Sequence, residues 1–125
     1  MLVSLNSIVR TIDLRMIQSY AQMTDDFDPA HVDGAYAAGT AAGAITAHQT
    51  LPVNLLWQAI ASTFGNARAA RSTLDLRFVL PIFVGDTVEA GGIALDESEG
   101  SFRVWVRKLG GGNAIDGIAR IPVDG

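Results

Sequence analysis

The sequence contains no cysteine and only two histidines among its 125 residues. Without cysteine there is neither a disulfide framework nor a thiolate nucleophile. Two histidines supply few ligands for a transition metal, and the neighbouring aspartates have no metal-binding spacing, so we expect no metal site. Charged residues make up only 18% of the chain, and the formal net charge is −4. A basic face that binds nucleic acid is therefore not expected.

Long apolar runs are missing as well. No stretch approaches the ~20 consecutive apolar residues of a membrane-spanning helix, and residues 1–12 lack the basic segment that precedes the apolar core of a secretory signal. Repeats and linker-like segments are also absent. Because 49% of the residues are hydrophobic, a chain of this length can still bury a substantial core. We therefore expect one soluble, cytoplasmic domain over residues 1–125, without membrane contact.

The first part of the chain predicts a strand followed by a helix. Residues 2–12 are rich in β-branched side chains, which favours a strand. Asp13 is placed to cap a helix over residues 14–23, where apolar positions recur every three to four residues. An acidic loop follows. Residues 34–44 have small side chains apart from Tyr36, so their backbone can pack close to another element or to a ligand.

Residues 51–64 predict a helix that is buried on most sides, because the segment is apolar almost all round. Thr50 is a plausible N-cap residue, and the Gly-Asn pair at 65–66 is a stop signal. The polar exceptions, Thr50, Asn54 and Gln58, are four residues apart and therefore form one stripe.

From residue 70 onward the pattern changes to strands. Turn sequences at 85–86, 99–100 and 110–113 separate segments in which apolar and polar residues alternate. We therefore predict an α+β fold in which three or four consecutive antiparallel strands form a β-sheet wrapped around a long, buried central helix. Such a sheet has an open edge strand and only one helix to cover it. We expect a homodimer or a dimer of dimers for this reason.

Two candidates for acid–base chemistry lie in the acidic loop. Asp26 and His31 are five residues apart with Pro29 between them, and a carboxylate held near an imidazole can divide the acid and base roles over one water molecule. The alternative is structural: Asp26 or Asp28 caps a short helix at 29–38, and His31 lies on the surface. Spacing alone leaves both interpretations open.

Three segments resemble the MaoC-like family. YAQMTDDFDPAHVD resembles its hydratase signature, an aromatic-Ala pair followed by Asp-x-Asn-Pro-x-His-x-Asp. ITAHQTL resembles the family's Ile-x-His-Gly-x-Leu, and LPIFVGDTV resembles its Leu-Pro-x-Phe-x-Gly-Asp-x-Val turn. The matching residues are Asp26, Pro29, His31, Asp33, His48, Leu51, Pro81, Gly85 and Asp86. The resemblance covers about residues 10–90.

The resemblance implies a hot-dog fold and the activity of an (R)-specific enoyl-CoA hydratase or 3-hydroxyacyl dehydratase. It implies that Asp26 and His31 are catalytic and activate a water molecule, which adds to a trans-2-enoyl thioester of CoA or of a carrier protein. It also implies that the backbone N–H of Gln49, near the start of the central helix, binds the thioester oxygen. No cofactor is implied besides the thioester substrate.

Two positions depart from the family pattern. The family's asparagine is Asp28 in this chain, and the glycine after the second histidine is Gln49. Both departures keep open a non-catalytic hot-dog module that binds an acyl thioester. A hot-dog thioesterase is another alternative, although such enzymes often carry an acidic residue on the central helix and residues 51–64 contain none.

Further residues are candidates for binding the substrate. Arg68, Arg71 and Arg77 lie within ten residues of sequence and form the basic group that a CoA or carrier-protein phosphate would need, unless they are ordinary solvated side chains. His48 either contacts the substrate or packs near the start of the central helix. The stripe that contains Asn54 either lines an acyl channel or meets a second subunit.

Overall fold

The computed structural model describes residues 2–97 and 100–122 of the chain. Within these ranges, five strands form one antiparallel sheet in the order β1-β3-β4-β5-β2. The strands are β1 (Ile8–Thr11), β2 (Thr73–Phe78), β3 (Thr87–Ala94), β4 (Ser101–Lys108) and β5 (Asn113–Arg120). The helices are α1 (Leu14–Thr24), α2 (Pro29–Val32), α3 (Gly34–Ala38), α4 (Val53–Phe64) and α5 (Asn66–Ala70). The predicted α+β architecture, an antiparallel sheet around one long helix, is confirmed.

Helix α4 packs its apolar side against the sheet. The buried residues of the helix are Leu55, Leu56, Ala59 and Ile60. The sheet adds alternate residues of its inner face to the same core, among them Val88, Ala90, Phe102, Val104, Val106 and Ile115. Each fully buried aliphatic side chain contributes about 1.5–3 kcal/mol relative to an exposed one. The predicted polar stripe of Asn54 and Gln58 is exposed on the opposite side of the helix.

Helix α1 begins where the sequence predicts. The side chain of Asp13 accepts a hydrogen bond from the N–H of Met16 at 2.8 Å, which satisfies one of the unpaired donors of the first turn. Ile17 and Ala21 are buried one turn apart, so the apolar face of the helix contacts the core.

The predicted N-terminal strand is interrupted. Its ladder with β3 covers only β1, and an isolated bridge at Ser4 is one residue out of step with that ladder. This change of register is a β-bulge, and Asn6 lies within it. Asn6 bonds to the end of α4, with its backbone N–H 2.8 Å from Oγ1 of Thr63. The side-chain and backbone bonds of Asn6 therefore replace part of the expected strand pairing.

The start of the central helix differs from the prediction. Pro52 is the N-cap residue of α4 and no side chain caps the helix, so the assignment of Thr50 as N-cap was wrong. The N–H of Leu51 bonds to the carbonyl of His48 at 3.0 Å, which forms a turn ahead of the helix. The hydroxyl of Thr50 instead lies 2.6 Å from that of Tyr20.

The end of the central helix agrees with the stop signal. Gly65 has a φ of 93°, which favours glycine, and its N–H closes the last turn on the carbonyl of Ala61. Asn66 then begins the short helix α5. In the ranges that the structure describes, no helix is long and apolar enough to span a membrane.

Candidate active site

Asp26 is placed by the end of helix α1. The helix ends at Thr24, and the C-cap residue Asp25 has a φ of 55°, in the left-handed region. The N–H groups of Asp25 and Asp26 both bond to the carbonyl of Ala21, so the chain turns sharply away from the helix. The carboxylate of Asp26 accepts a hydrogen bond from the N–H of Asp28 at 3.2 Å, and the residue is exposed.

His31 lies on the one-turn helix α2. Asp28 caps this helix by accepting a hydrogen bond from the N–H of Ala30 at 3.0 Å, and Pro29 occupies its first position. The half-buried ring of His31 has its Nδ1 2.7 Å from the carbonyl oxygen of Thr46. Because a carbonyl only accepts, Nδ1 carries the hydrogen, and Nε2 of the neutral ring is left as an acceptor.

The structural alternative for this loop is correct in part. Asp28 caps α2, and Asp33 caps the next helix, α3, through the N–H groups of Ala35 and Tyr36 at 3.0 and 3.1 Å. Residues 29–38 therefore form two short helices instead of one. The surface position that this alternative gives His31 is found only in part, because the residue is half-buried and its ring bonds to the carbonyl of Thr46 in the segment before α4.

His48 touches both candidate residues. It is only 3% exposed, and its Nε2 donates to the backbone carbonyl of Asp26 at 2.9 Å. Its ring stacks on that of His31 with the centroids 4.1 Å apart and the planes 26° apart, and the ring of Tyr20 contacts it edge-on at 5.1 Å. One carboxylate oxygen of Asp26 and one ring nitrogen of each histidine lie within 4.8 Å of one another. The sequence places His48 near the central helix but gives no signal for this three-residue cluster.

Aspartate and histidine are residue types that bind Zn²⁺, but the rings of His31 and His48 are not oriented to bind one ion together with Asp26. A zinc ion would require both imidazole lone pairs to point at one site about 2.0–2.1 Å from each nitrogen. The rings instead stack with their centroids 4.1 Å apart and their planes only 26° apart, so the lone pairs lie in two nearly parallel, separate planes. The geometry favours stacking over chelation, and the absence of a metal site stays a prediction.

A pocket of about 260 Å³ opens beside His48. One wall is formed by residues 46–49 with Pro52, and the other by residues 78–82 with Ile115. Most of the lining residues have apolar side chains, but polar and apolar atoms share the exposed surface of the pocket about equally. This combination suits a ligand with an apolar chain and a polar end.

Backbone hydrogen bonds hold the two walls together. The N–H of Ala47 bonds to the carbonyl of Ile82 at 2.8 Å, and that of Val84 bonds to the carbonyl of Ile45 at 3.0 Å. The following turn is closed by the carboxylate of Asp86, which accepts a hydrogen bond from the N–H of Phe83 at 2.8 Å. The segment LPIFVGDTV therefore has a structural role, because its hydrogen bonds hold the second wall of the pocket against the first.

Gln49 lies in the turn between His48 and helix α4. Within the described ranges its backbone N–H has no protein acceptor, and the residue lines the pocket beside His48. The residue is exposed. The N–H that the resemblance assigns to the thioester oxygen is thus free to bind a ligand, although it belongs to the turn and not to the helix.

Asn54 is not brought to this cluster. Its side-chain amide donates within the first turn of α4, 3.3 Å from the carbonyls of Thr50 and Leu51. It borders a groove of about 630 Å³ between α1 and α4, together with Tyr20 and Met23. The pocket beside His48 is lined by other residues, so a role of Asn54 in binding substrate stays a prediction.

Arg68 and Arg77, two of the three candidate arginines, have different partners in the structure. Arg68 lies over the ring of Phe64 at 4.1 Å, and its Nε is 2.6 Å from the carbonyl of Pro122. Arg77, near the far end of β2, pairs with Asp116 at 3.1 Å. Arg71 also has an intramolecular contact. These partners hold Arg68 and Arg77 apart, and phosphate binding by the three arginines stays a prediction.

Comparison with known proteins identifies a matching family model and a curated relative. The family model described as MaoC like domain matches residues 5–106. A curated (R)-specific enoyl-CoA hydratase from Aeromonas caviae is 32% identical over 74 residues, which are 59% of this chain and 55% of that protein. The matched part therefore spans about half the length of that relative.

Solved structures show the same fold over nearly the whole chain. An (R)-hydratase from A. caviae involved in PHA biosynthesis has a TM-score of 0.79 at 25% identity, covering 96% of this chain and 95% of that chain. An unliganded R-hydratase from Pseudomonas aeruginosa has a TM-score of 0.79 at 22% identity, covering 99% and 90%. The hot-dog fold implied by the sequence motifs is confirmed.

Proposed function

The chain belongs to the family of MaoC-like domains, and we propose that it hydrates trans-2-enoyl thioesters with (R) stereochemistry, or dehydrates 3-hydroxyacyl thioesters in the reverse direction. One observation carries the proposal: Asp26 and His31 lie together and contact His48, which lines a pocket together with Gln49, and the backbone N–H of Gln49 has no protein acceptor within the described ranges. The hydratase relatives support the reaction class.

Asp26 and His31 hold and activate the water. The carboxylate and Nε2 of the ring are two acceptors, so one water donates to both and keeps a lone pair for attack on C3 of the enoyl thioester. One proton of the water passes to the pair as the C3–O bond forms, and the pair returns a proton to C2. The net change is addition of water across the double bond, and general acid–base help of this kind is worth about 10²–10⁴-fold.

The N–H of Gln49 binds the thioester oxygen. As water attacks C3, electrons of the double bond move toward the carbonyl and negative charge develops on its oxygen. A fixed backbone donor stabilises this charge more than the neutral carbonyl of the substrate, which lowers the barrier. Water and a proton are the only other reactants, so the proposed reaction requires no cofactor besides the CoA or carrier-protein thioester.

A homodimer is part of the proposal. Among the described strands β2 pairs only with β5, so its other edge is open. Three consecutive apolar residues at its end, Phe78, Val79 and Leu80, are 45%, 53% and 44% exposed and line the pocket beside His48. A second copy at this edge covers both the open backbone groups and the apolar side chains. A dimer of dimers stays a prediction, as does a cytoplasmic location.

The direct test is the loss of enoyl-thioester ultraviolet absorbance when the protein is added to crotonyl-CoA. Asp26→Asn keeps an oxygen that accepts from the N–H of Asp28, and His31→Asn keeps a donor near the carbonyl of Thr46. Each substitution removes a group that can take a proton from the water, so we expect kcat to fall by about 100-fold or more in each variant. Asp33→Asn, which keeps the cap of α3, is the matched control and retains activity.

Other outcomes would identify the alternative functions. Release of a free CoA thiol, without addition of water to the double bond, would indicate a thioesterase. Binding of crotonyl-CoA by calorimetry, without turnover of short or medium enoyl chains, would indicate a non-catalytic module. Unchanged turnover in Asp26→Asn or His31→Asn would exclude the proposed acid–base pair.

A further inference from the structure

His48 is the member of the three-residue cluster that the proposed chemistry does not use. It is nevertheless the most buried of the three, whereas Asp26 is exposed and His31 is half-buried. A buried polar side chain between two acid–base candidates requires an explanation, because burying polar groups costs free energy unless their contacts repay it.

Neither ring nitrogen of His48 is available to exchange a proton with water or substrate. Nε2 donates to the backbone carbonyl of Asp26 at 2.9 Å, so it carries the hydrogen and is engaged. Nδ1 is buried from solvent and has no hydrogen-bond partner within the described ranges. A general acid or base must be within hydrogen-bond reach of the proton that it moves, and His48 does not meet this condition.

The contacts of His48 instead fix the other two residues. Among the described residues, three hydrogen bonds join 26–31 to the segment before α4. They run from the N–H of Thr46 to the carbonyl of Ala30 at 3.2 Å, from His31 to the carbonyl of Thr46 at 2.7 Å, and from His48 to the carbonyl of Asp26 at 2.9 Å. Only the last of these three involves Asp26, whose other hydrogen bonds are to Ala21 and Asp28 on its own side of the site. The stacked ring of His48 also supports one face of the His31 ring.

We propose that His48 is a positioning residue, which fixes Asp26 through its backbone carbonyl and His31 through ring stacking. This inference rests on the proposed hydratase function for its kinetic consequence, but its structural consequence does not depend on any activity. Without the bond from His48, Asp26 lies on an exposed turn and, among the described residues, has no hydrogen bond to the segment that carries the pocket. A displacement of about 1 Å is enough to cost 10²-fold in rate.

Two substitutions at position 48 test the hydrogen bond to the carbonyl of Asp26 separately from the stacking of the His48 ring on His31. The amide nitrogen of His48→Gln reaches about as far as Nε2 and keeps a donor for the carbonyl of Asp26. The side chain of His48→Asn is shorter and does not reach it. We expect His48→Asn to lose about 100-fold in kcat with a much smaller change in KM, and His48→Gln to recover most of the loss.

Thermal unfolding of both variants tests for a merely structural role. If His48 only filled space, Gln and Asn would lower the melting temperature without a difference in kcat well below it. If His48→Asn does not fold, His48→Phe replaces it, because phenylalanine keeps a ring but lacks the donor. Wild-type kcat in His48→Asn or in His48→Phe would overturn the inference.

Crystal structures of the Gln and Asn variants give a readout that is independent of turnover. We expect the Asp26 carbonyl to stay in place in His48→Gln and to move in His48→Asn. If the wild-type protein does not hydrate enoyl thioesters, the proposed function fails, but this displacement still supports the positioning role. An unmoved Asp26 in His48→Asn would overturn it.

Discussion

Residues 25–49 and residues 73–121 are held in place by different kinds of contact. The second region is a backbone ladder, in which β2, β4 and β5 pair residue by residue with one irregularity near Val106. The first region has two one-turn helices, each capped by an aspartate, and a few bonds to the segment before α4. Many equivalent bonds share the stability of the sheet, whereas single side chains determine the geometry of the candidate site.

This comparison predicts that substitutions in the sheet change stability and that substitutions in the site region mainly change activity. The largest stability effect is expected at Gly117 on β5. A Cβ added there would collide with the backbone carbonyl of Asp75 and lie 2.9 Å from Cα of Leu76. Since a backbone cannot move aside without breaking the β2–β5 ladder, Gly117→Ala should lower the free energy of unfolding by about 3 kcal/mol, measured by urea denaturation.

Gly112→Ala is the control for this substitution. The added Cβ would lie 3.7 Å from a methyl group of Leu80, an ordinary van der Waals contact, so the change should stay within about 0.5 kcal/mol. Equal stability of the two variants would contradict the close approach of β5 to β2.

A substitution at Asp25 is expected to lower stability less than Gly117→Ala does and to reduce activity more. A β-branched side chain is disfavoured at the φ of 55° observed there, so Asp25→Val should cost about 1–2 kcal/mol of folding free energy. It should also displace the adjacent Asp26 and reduce hydration of crotonyl-CoA more than the loss of folded protein explains. Asp25→Gly accepts the left-handed conformation and should match the wild type in both measurements; a defect in the glycine variant would argue against strain as the cause.

The smallest effects are expected at Asp28, where the chain departs from the family pattern. Asp28→Ala removes the cap of α2 and should cost about 1 kcal/mol in urea denaturation. Asp28→Asn keeps an oxygen for the N–H of Ala30 and should leave stability nearly unchanged. If the charge of Asp28 mattered and not its cap, Asn and Ala would behave alike, and the two denaturation curves would coincide.

The sequence predicted most local features of the fold. The cap at Asp13 and the stop at Gly65 were correct, because both depend on residues within one helical turn. The assignment of Thr50 as N-cap failed for a long-range reason: its hydroxyl is paired with Tyr20, thirty positions away in sequence. The bulge at Asn6 was missed similarly, since its partners lie at the end of α4.

The sequence also predicted part of the candidate site. Asp26 and His31 came from their spacing and from the family signature, and the structure places them in one cluster. Gln49 was named for a backbone N–H that is free of protein acceptors in the described ranges. The grouping of Arg68 with Arg77 rested on closeness in sequence, and it ignored the partners that each one finds in the folded chain.

By itself, the sequence determined the α+β class, the apolar central helix, the antiparallel strands and the identity of the acid–base candidates. Alternation, helical periodicity and capping act over a few residues, so they can be read without the fold. Only the tertiary structure decided that His48 bonds to Asp26 and stacks on His31, and that residues 78–82 form the second wall of the pocket. These contacts join segments that are 17 or more residues apart, and patterns that act over a few residues carry no information about which distant segments meet.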